Sequence, residues 1–433
     1  MKNNGGKISI DWKLSFASIQ WLFFIFANTV VVPVSIGTAF HLSPDVIASM
    51  LRSSLIFTGL ACMLQGYFGH RYPLMEGHSG VIWGLILHLC ISAQTLGLSY
   101  SEIGGGIATG LLLAGVVAIL FVKLNLIHLL HRIFTPMVMS VYLFLLTFQL
   151  ILIFFKGMFK VNEDGTIDIP VALLSIGIVV IVSLLIIKGN EVIANFSILI
   201  GMVVGWVIYA IFFQSESFNG EPSFILIFPL GWPNLNIGIV TVTFLAGLIN
   251  LSNTIASIQA AANLFHERPT ERQFKRSYLL TGFYSIGAAF LGLVSYTPFA
   301  SSIGFLESTR IFDRKPFIIS GGLMVLLGVF PFLGSFLSTM PMTVGNAVLF
   351  VAYLQLLGTS LKSLNGYVFN SKTIYRLAAP LLIGVSIMNM DSSLFNSIPI
   401  ILRPIISNGF IMGVIIAILT EKMIKWDNIK EAA

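Results

Sequence analysis

The sequence predicts an all-α polytopic membrane protein of 14 transmembrane segments, arranged as 7+7 inverted repeats, with spans 3 and 10 broken by short extended pieces. Three observations lead there. Of 433 residues, 56% are hydrophobic and only 10% are charged, against about 25% charged in a soluble domain, and mean hydropathy is +0.92. Apolar stretches recur at membrane-crossing length, with Lys and Arg gathered on alternate connections. Two segments interrupted by proline and glycine, Pro73–Gly80 and Pro298–Arg310, occupy corresponding places in the two halves.

A helix needs about 20 apolar residues to cross a bilayer. Spans are expected near 15–38, 46–67, 73–95, 103–122, 135–156, 168–188, 192–213, 236–262, 276–296, 298–312, 316–338, 340–359, 374–391 and 398–421. The tenth is too short for a full helix, so part of it is extended. With the N-terminus in the cytoplasm, 20 of the 24 Lys and Arg fall inside, among them Lys2, Lys7, Arg71, Lys425 and Lys430, and only Arg52, Lys156, Lys160 and Arg403 fall outside. Such a bias sets orientation, so an even number of spans and two cytoplasmic termini are expected. The acidic loop Asn162–Gly165 and the Lys- and Arg-free loop Gln214–Leu235 fall outside. The two breaks begin 225 residues apart, and an odd number of spans per repeat inverts the second repeat against the first.

The net charge of +6 lies in these loops and is not a nucleic-acid signal. The 36 Phe and 39 Gly suit closely packed membrane helices. Cys62 and Cys90 lie in apolar stretches, and no disulfide is expected. No cleavable leader is expected before span 1. No metal-ligating cluster, nucleophile elbow or phosphate-binding loop occurs, so neither an enzyme nor a self-contained ATP-driven pump is indicated. No cofactor or metal is expected.

Two broken segments in corresponding halves are the best sequence pointer to a secondary transporter's binding site. Broken backbone in a membrane is tolerated where it lines a cavity. The first break carries Glu76, Gly77 and His78, candidates for ligand contact and, for Glu76 and His78, proton coupling. In span 8, Asn250, Asn253, Thr254 and Ser257 are spaced i, i+3, i+4, i+7 and share one helical face. Asn253 and Ser257 are substrate candidates, because amides and hydroxyls read a planar polar ligand by matching donors to acceptors. Bonds between helices are the competing use of such residues. Ser301 and Ser302 in the second break, and Asn28 in span 1, complete the candidate set, while Arg52 is expected to snorkel.

Several stretches carry a family likeness: Gln20–Pro33 in span 1, Pro73-Leu-Met-Glu-Gly-His-Ser-Gly80, Phe134-Thr-Pro-Met-Val138, Ser302-Ile-Gly304-Phe-Leu-Glu-Ser-Thr309-Arg310 and Ser407-Asn-Gly409. Their order and spacing resemble the nucleobase–ascorbate transporter family, the uracil/xanthine permeases (nucleobase:cation symporters), with the first break most like the purine-permease branch. Gly304, Thr309 and Arg310 match its signature Asn-x-Gly-x-x-x-x-Thr-Arg. The resemblance implies a core domain from spans 1–4 (1–122) and 8–11 (236–338), and a gate domain from spans 5–7 (123–235) and 12–14 (339–433). It further implies a substrate between the extended pieces of spans 3 and 10, a homodimer, and proton symport of a nucleobase across the bacterial cell membrane. Where the family usually carries Glu in span 8 this chain has Asn253, and Ser301 and Ser302 replace the acidic or Gln residue and the Asn of span 10. The later span-8 His or Asp position is Ser257, and the Gln-His of span 1 is Gln20-Trp21. Glu76 is read as partly replacing the missing carboxylates. The expected function is alternating-access transport of a nucleobase, a purine before uracil, with protons. An anion transporter of the same fold, or a sensor-like relative that binds without transporting, is the alternative.

Overall fold

The computed structural model describes residues 12–162, 164–213, 224–299, 301–399, 401–424 and 426. Lys2, Lys7, Glu163, Lys425, Lys430 and residues 214–223 of the expected outer loop lie outside the described residues.

The main elements in chain order are α1 (Trp12–Ala39), α2 (Pro44–Tyr67), β1 (Glu76–His78), α3 (Gly80–Ile91), α4 (Tyr100–Lys123), α5 (Pro136–Gly157), α6 (Ile169–Lys188) and α7 (Glu191–Phe212). The second half continues with α8 (Ile237–Leu264), α9 (Glu271–Leu291), β2 (Tyr296–Pro298), α10 (Ser301–Thr309), α11 (Arg314–Val329), α12 (Met342–Lys362), α13 (Ser371–Met388) and α14 (Gly409–Met423). Short helical turns at Ala93–Leu96, Ile127–Ile133, Pro331–Ser338, Ser392–Phe395 and Arg403–Ile406 join them. Among the described residues, seven helices are long and apolar enough to cross a membrane: α1 (from Lys13), α2, α4, α5, α6, α8 and α12.

Local chemistry sets the ends of these helices. Ser99 and Glu102 form a capping box at α4, and Thr270 and Gln273 form another at α9. Thr135, Asp168, Asn190, Asn236, Asn370 and Asn408 each accept a bond from a first-turn amide of the helix they precede. The second break starts earlier than the sequence suggested. Tyr296 was assigned to span 9, but α9 stops at Leu291 because Gly292 adopts φ +63° at its C-cap, and the extended piece is Tyr296–Pro298. Arg52, expected to snorkel, is buried and donates from Nε and Nη2 to the carbonyls of Gly328 and Val329, closing the end of α11.

Packing divides the helices into two sets. The helices α2 and α11, α1 and α11, α4 and α9, and α4 and α8 pack against one another, while α5 and α12, α13 and α14, α6 and α7, and α6 and α12 form a second set. Small residues make these crossings close. A Cβ added at Gly59 would fall 2.4 Å from the Gly321 carbonyl oxygen, and one at Gly409 would collide with the Gly384 carbonyl oxygen at 2.1 Å. Backbone cannot give way as a side-chain tip does. Gly409→Val is therefore expected to destabilise the α13–α14 pair by more than the roughly 1–3 kcal/mol usual for overpacking. The yield of monodisperse, detergent-extracted protein measures this, and an undiminished yield contradicts the close crossing.

Candidate substrate site at the paired breaks

The two breaks meet. Strands β1 and β2 pair antiparallel, with Glu76 opposite Pro298, Gly77 opposite Thr297 and His78 opposite Tyr296. The amide of Ser79 donates to the Ser295 carbonyl and that of Phe299 to the Met75 carbonyl, both at 2.8 Å, extending the ladder at each end. Ser79 then caps α3 with its hydroxyl.

A two-stranded ladder leaves its outer backbone groups unpaired, and buried backbone polar groups require partners. The polar face of α8 supplies them. Asn250 Nδ2 donates to the Tyr296 carbonyl (3.2 Å) and its Oδ1 accepts from Ser79 Oγ (2.6 Å). Ser257 Oγ donates to the Pro298 carbonyl at 2.9 Å. The Ser302 hydroxyl accepts from the Met75 amide at 3.0 Å. Three side chains that look like ligand groups in the sequence thus hold broken main chain in place.

Asn253 is placed differently. It is only partly buried, and its single contact on α8 is a long one, Nδ2 to Asn250 Oδ1 at 3.4 Å. The Tyr142 hydroxyl of α5 faces its amide, so Asn253 stands where the two helix sets meet. Tyr142 is fully buried, and among the described residues its hydroxyl makes no hydrogen bond of ordinary geometry, the Asn253 amide being its polar neighbour. Two turns along α5, Gln149 presses on α3, where a Cβ at Gly84 would lie 2.7 Å from Gln149 Cδ. The Gln149 Oε1 atom is also buried and unpartnered.

The strand pair has two faces. Directly opposed residues share a sheet face, so Gly77 and Thr297 point one way and Glu76, His78, Tyr296 and Pro298 the other. At Gly77, itself buried, an added Cβ would meet the Met75 methyl at 2.8 Å and the Phe299 ring at 3.0 Å, so the strand backbone lies close under these two side chains, and the Phe299 ring is only partly buried.

The remaining sequence candidates have contacts of their own. Glu76 and His78 sit on the opposite face of β1, packed towards α2, with His78 Nε2 at 2.7 Å from Ser54 Oγ. Asn28 Nδ2 donates back to the Phe24 carbonyl of its own helix at 2.8 Å. Ser301 and Gly304 are exposed on α10. Thr309 and Arg310 end α10: the Thr309 hydroxyl donates to the Phe305 carbonyl at 2.7 Å, and Arg310 takes φ +55° with its amide bonded to the Leu306 carbonyl. Tyr142, Gln149 and Phe299 were not among the sequence candidates. The signal for the first two was present, since they are polar side chains seven residues apart on one face of the helix, as are Ser140 and Thr147, which bond to Ser363 and Ser360.

Comparison with known proteins agrees with this architecture. The family model Xan_ur_permease, described as a permease family, matches residues 12–393. YwdJ of Bacillus subtilis (strain 168) is 26% identical over 96% of this chain and 96% of its own length. The uric acid permease PucJ of the same organism is 24% identical over 94% of this chain and 92% of its own. The xanthine permease XanQ of Escherichia coli (strain K12) is 23% identical over 93% and 89%. Among solved structures, the transmembrane domain of a cyanobacterium bicarbonate transporter, BicA, superposes with TM-score 0.63 at 12% identity, covering 95% of this chain and 98% of that one. The murine anion transporter Slc26a9 in its inward-facing state gives TM-score 0.61 at 12% identity, over 98% of this chain and 73% of that one. At that identity the likeness is one of fold.

Proposed function

The chain belongs to the xanthine/uracil type of the permease family, integral membrane transporters rather than enzymes, and from that premise we propose that it carries a nucleobase, a purine in preference to uracil, by alternating access with proton symport. The observation that carries this reading is the uncharged polar set at the junction of the two helix sets. Asn253 on α8 faces Tyr142 on α5, with Gln149 two turns along the same α5 face, and we take the Gly77–Phe299 face of the strand pair as the wall beside them. The Asn253 amide and the Tyr142 hydroxyl offer donors and acceptors that a neutral purine edge matches without an ion pair, and Gln149 lies about 10 Å further along α5. Phe299 supplies a face for stacking. The preference for a purine is supported by relatives named for uric acid and xanthine.

We read the first helix set as a core domain (1–122 and 236–338) and the second as a gate domain (123–235 and 339–433), 14 spans in 7+7 inverted repeats. Support comes from the packing partition and from a helix at each of the 14 expected positions, with α3 and α10 as the half-spans after the breaks. A homodimer in the bacterial cell membrane with both termini inside completes the reading.

The test is uptake of radiolabelled hypoxanthine, guanine, adenine, xanthine and uracil in bacterial cells lacking their own base transporters. Saturable uptake of a purine is expected, competed by unlabelled purines but not by uracil, sulfate or bicarbonate, and abolished by an uncoupler. Competition by the anions instead would overturn the nucleobase reading, and uptake of uracil alone would overturn the purine preference.

A further inference from the structure

Glu76 lies on the α2-facing side of β1, and its surroundings are unusual. The residue is fully buried, and among the described residues neither carboxyl oxygen has a hydrogen-bond donor. Four titratable side chains face it: Cys62 from α2, His70 from the segment between α2 and β1, Tyr284 from α9 and Tyr296 from β2. Three of the four are engaged elsewhere. Tyr284 donates to the Ala61 carbonyl, the Tyr296 hydroxyl pairs with Thr58 Oγ1, and Cys62 Sγ contacts the main chain of Glu76.

His70 is the informative neighbour. Its Nε2 lies 3.6 Å from Glu76 Oε1, both side chains being fully buried. Its Nδ1 accepts a hydrogen bond from the Tyr72 amide at 3.1 Å. A nitrogen that accepts from a backbone N–H cannot also carry a proton, so the ring is neutral with its single proton on Nε2. The imidazole is thereby prevented from becoming the cation an ionised Glu76 would need, and a buried, unpaired carboxylate is strongly disfavoured. The seam behind the pair is polar as well: Gln65 Oε1, Ser277 Oγ and Thr281 Oγ1 are buried without partners, and Gln65 bridges α2 to the Ser277 carbonyl of α9.

We propose that Glu76 is the proton carrier of the transport cycle, placed behind the strand pair rather than in the substrate site, with His70 as its positioning residue. The step is a simple exchange: Glu76 COOH releases a proton to water and becomes a carboxylate, and regains it from water. In the conformation described here the carboxyl is protonated. Release requires hydration of the α2–α9 seam next to exposed Arg71, and this moves β1, whose Gly77 forms the wall of the substrate junction. Proton occupancy and substrate-site geometry are coupled through one strand.

This inference rests on the transport reading above, and reconstituted protein separates the two. In liposomes, wild type is expected to show both counterflow of labelled purine and accumulation driven by a pH gradient. Glu76→Gln is expected to keep counterflow within about threefold and to lose accumulation. His70→Leu removes the N–H nearest the carboxylate, so the proton is held more tightly and accumulation is expected to persist to higher pH than in wild type. Accumulation by Glu76→Gln equal to wild type overturns the proposal, as does loss of its counterflow in folded protein. If Glu76→Gln does not fold, His70→Leu decides, and an unshifted pH profile overturns the proposal. Wild-type accumulation that responds to a sodium gradient and not to pH also overturns it, together with proton symport, leaving nucleobase transport by alternating access intact. Absence of counterflow in wild type overturns the transport reading itself.

Discussion

Replacing Asn250 with Leu is expected to reduce uptake at least about 30-fold in protein that still reaches the membrane. The side chains are similar in size, so the change removes polar contacts with little change of volume. The Tyr296 carbonyl loses its side-chain donor and the Ser79 hydroxyl loses its acceptor, both fully buried. Each orphaned buried group costs about 1–3 kcal/mol. Two together amount to roughly 2–6 kcal/mol against the paired-strand conformation, where each 1.4 kcal/mol is about tenfold. Ser79 also starts α3 and Tyr296 lies in β2, so the loss reaches both breaks at once. Initial uptake rates normalised to membrane-inserted protein measure the effect. A rate within threefold of wild type would show that the strand pair does not depend on α8.

The second large effect is expected at the junction of the two helix sets. Tyr142→Phe removes one hydroxyl, and Asn253→Ala removes one amide. A hydrogen bond to a ligand contributes about 0.5–1.5 kcal/mol, so each change is expected to raise KM up to about tenfold. Maximal velocity falls less, because neither residue carries the strand ladder. The two side chains face each other, so their effects are expected to be non-additive in a double-mutant cycle, with a coupling of about 0.5 kcal/mol or more. Strict additivity would place the two residues on different parts of the ligand. An unchanged KM in both would remove them from the site.

The fold was legible because its signals are local. Apolar runs between Ser, Thr, Asp and Asn caps fix where helices begin, and a helix lies at each expected position. The bias of Lys and Arg concerns the surrounding membrane and was independent of those boundaries. The two breaks were visible from Pro73, Gly77, Pro298 and Gly304, but the start of the second was not, because Gly292 acts through a left-handed cap that any glycine in an apolar run can adopt or decline.

The site was less legible, and the reason is physical. A polar stripe on a membrane helix satisfies either a ligand or broken main chain, and periodicity cannot distinguish them. Asn250 and Ser257 serve main chain, whereas Asn253 on the same helix points at the other helix set. Glu76 was readable as an intramembrane carboxylate, but its direction was not. The strand alternates every residue, so Gly77 and Glu76 face opposite sides. Tyr142 and Gln149 belong to a helix far along the chain from both breaks, and only the packed fold brings them near.

The central claim is that the junction of Asn253, Tyr142, Gln149 and the Gly77–Phe299 wall carries a purine across the membrane. The direct measurement is counterflow in liposomes containing only the purified protein, loaded with unlabelled xanthine or hypoxanthine and diluted into a trace of the labelled base. The account predicts a transient overshoot of label inside, present for the purines, absent for uracil and absent from protein-free liposomes. Label that enters no faster than in protein-free liposomes, from folded protein that moves bicarbonate or sulfate, would contradict it.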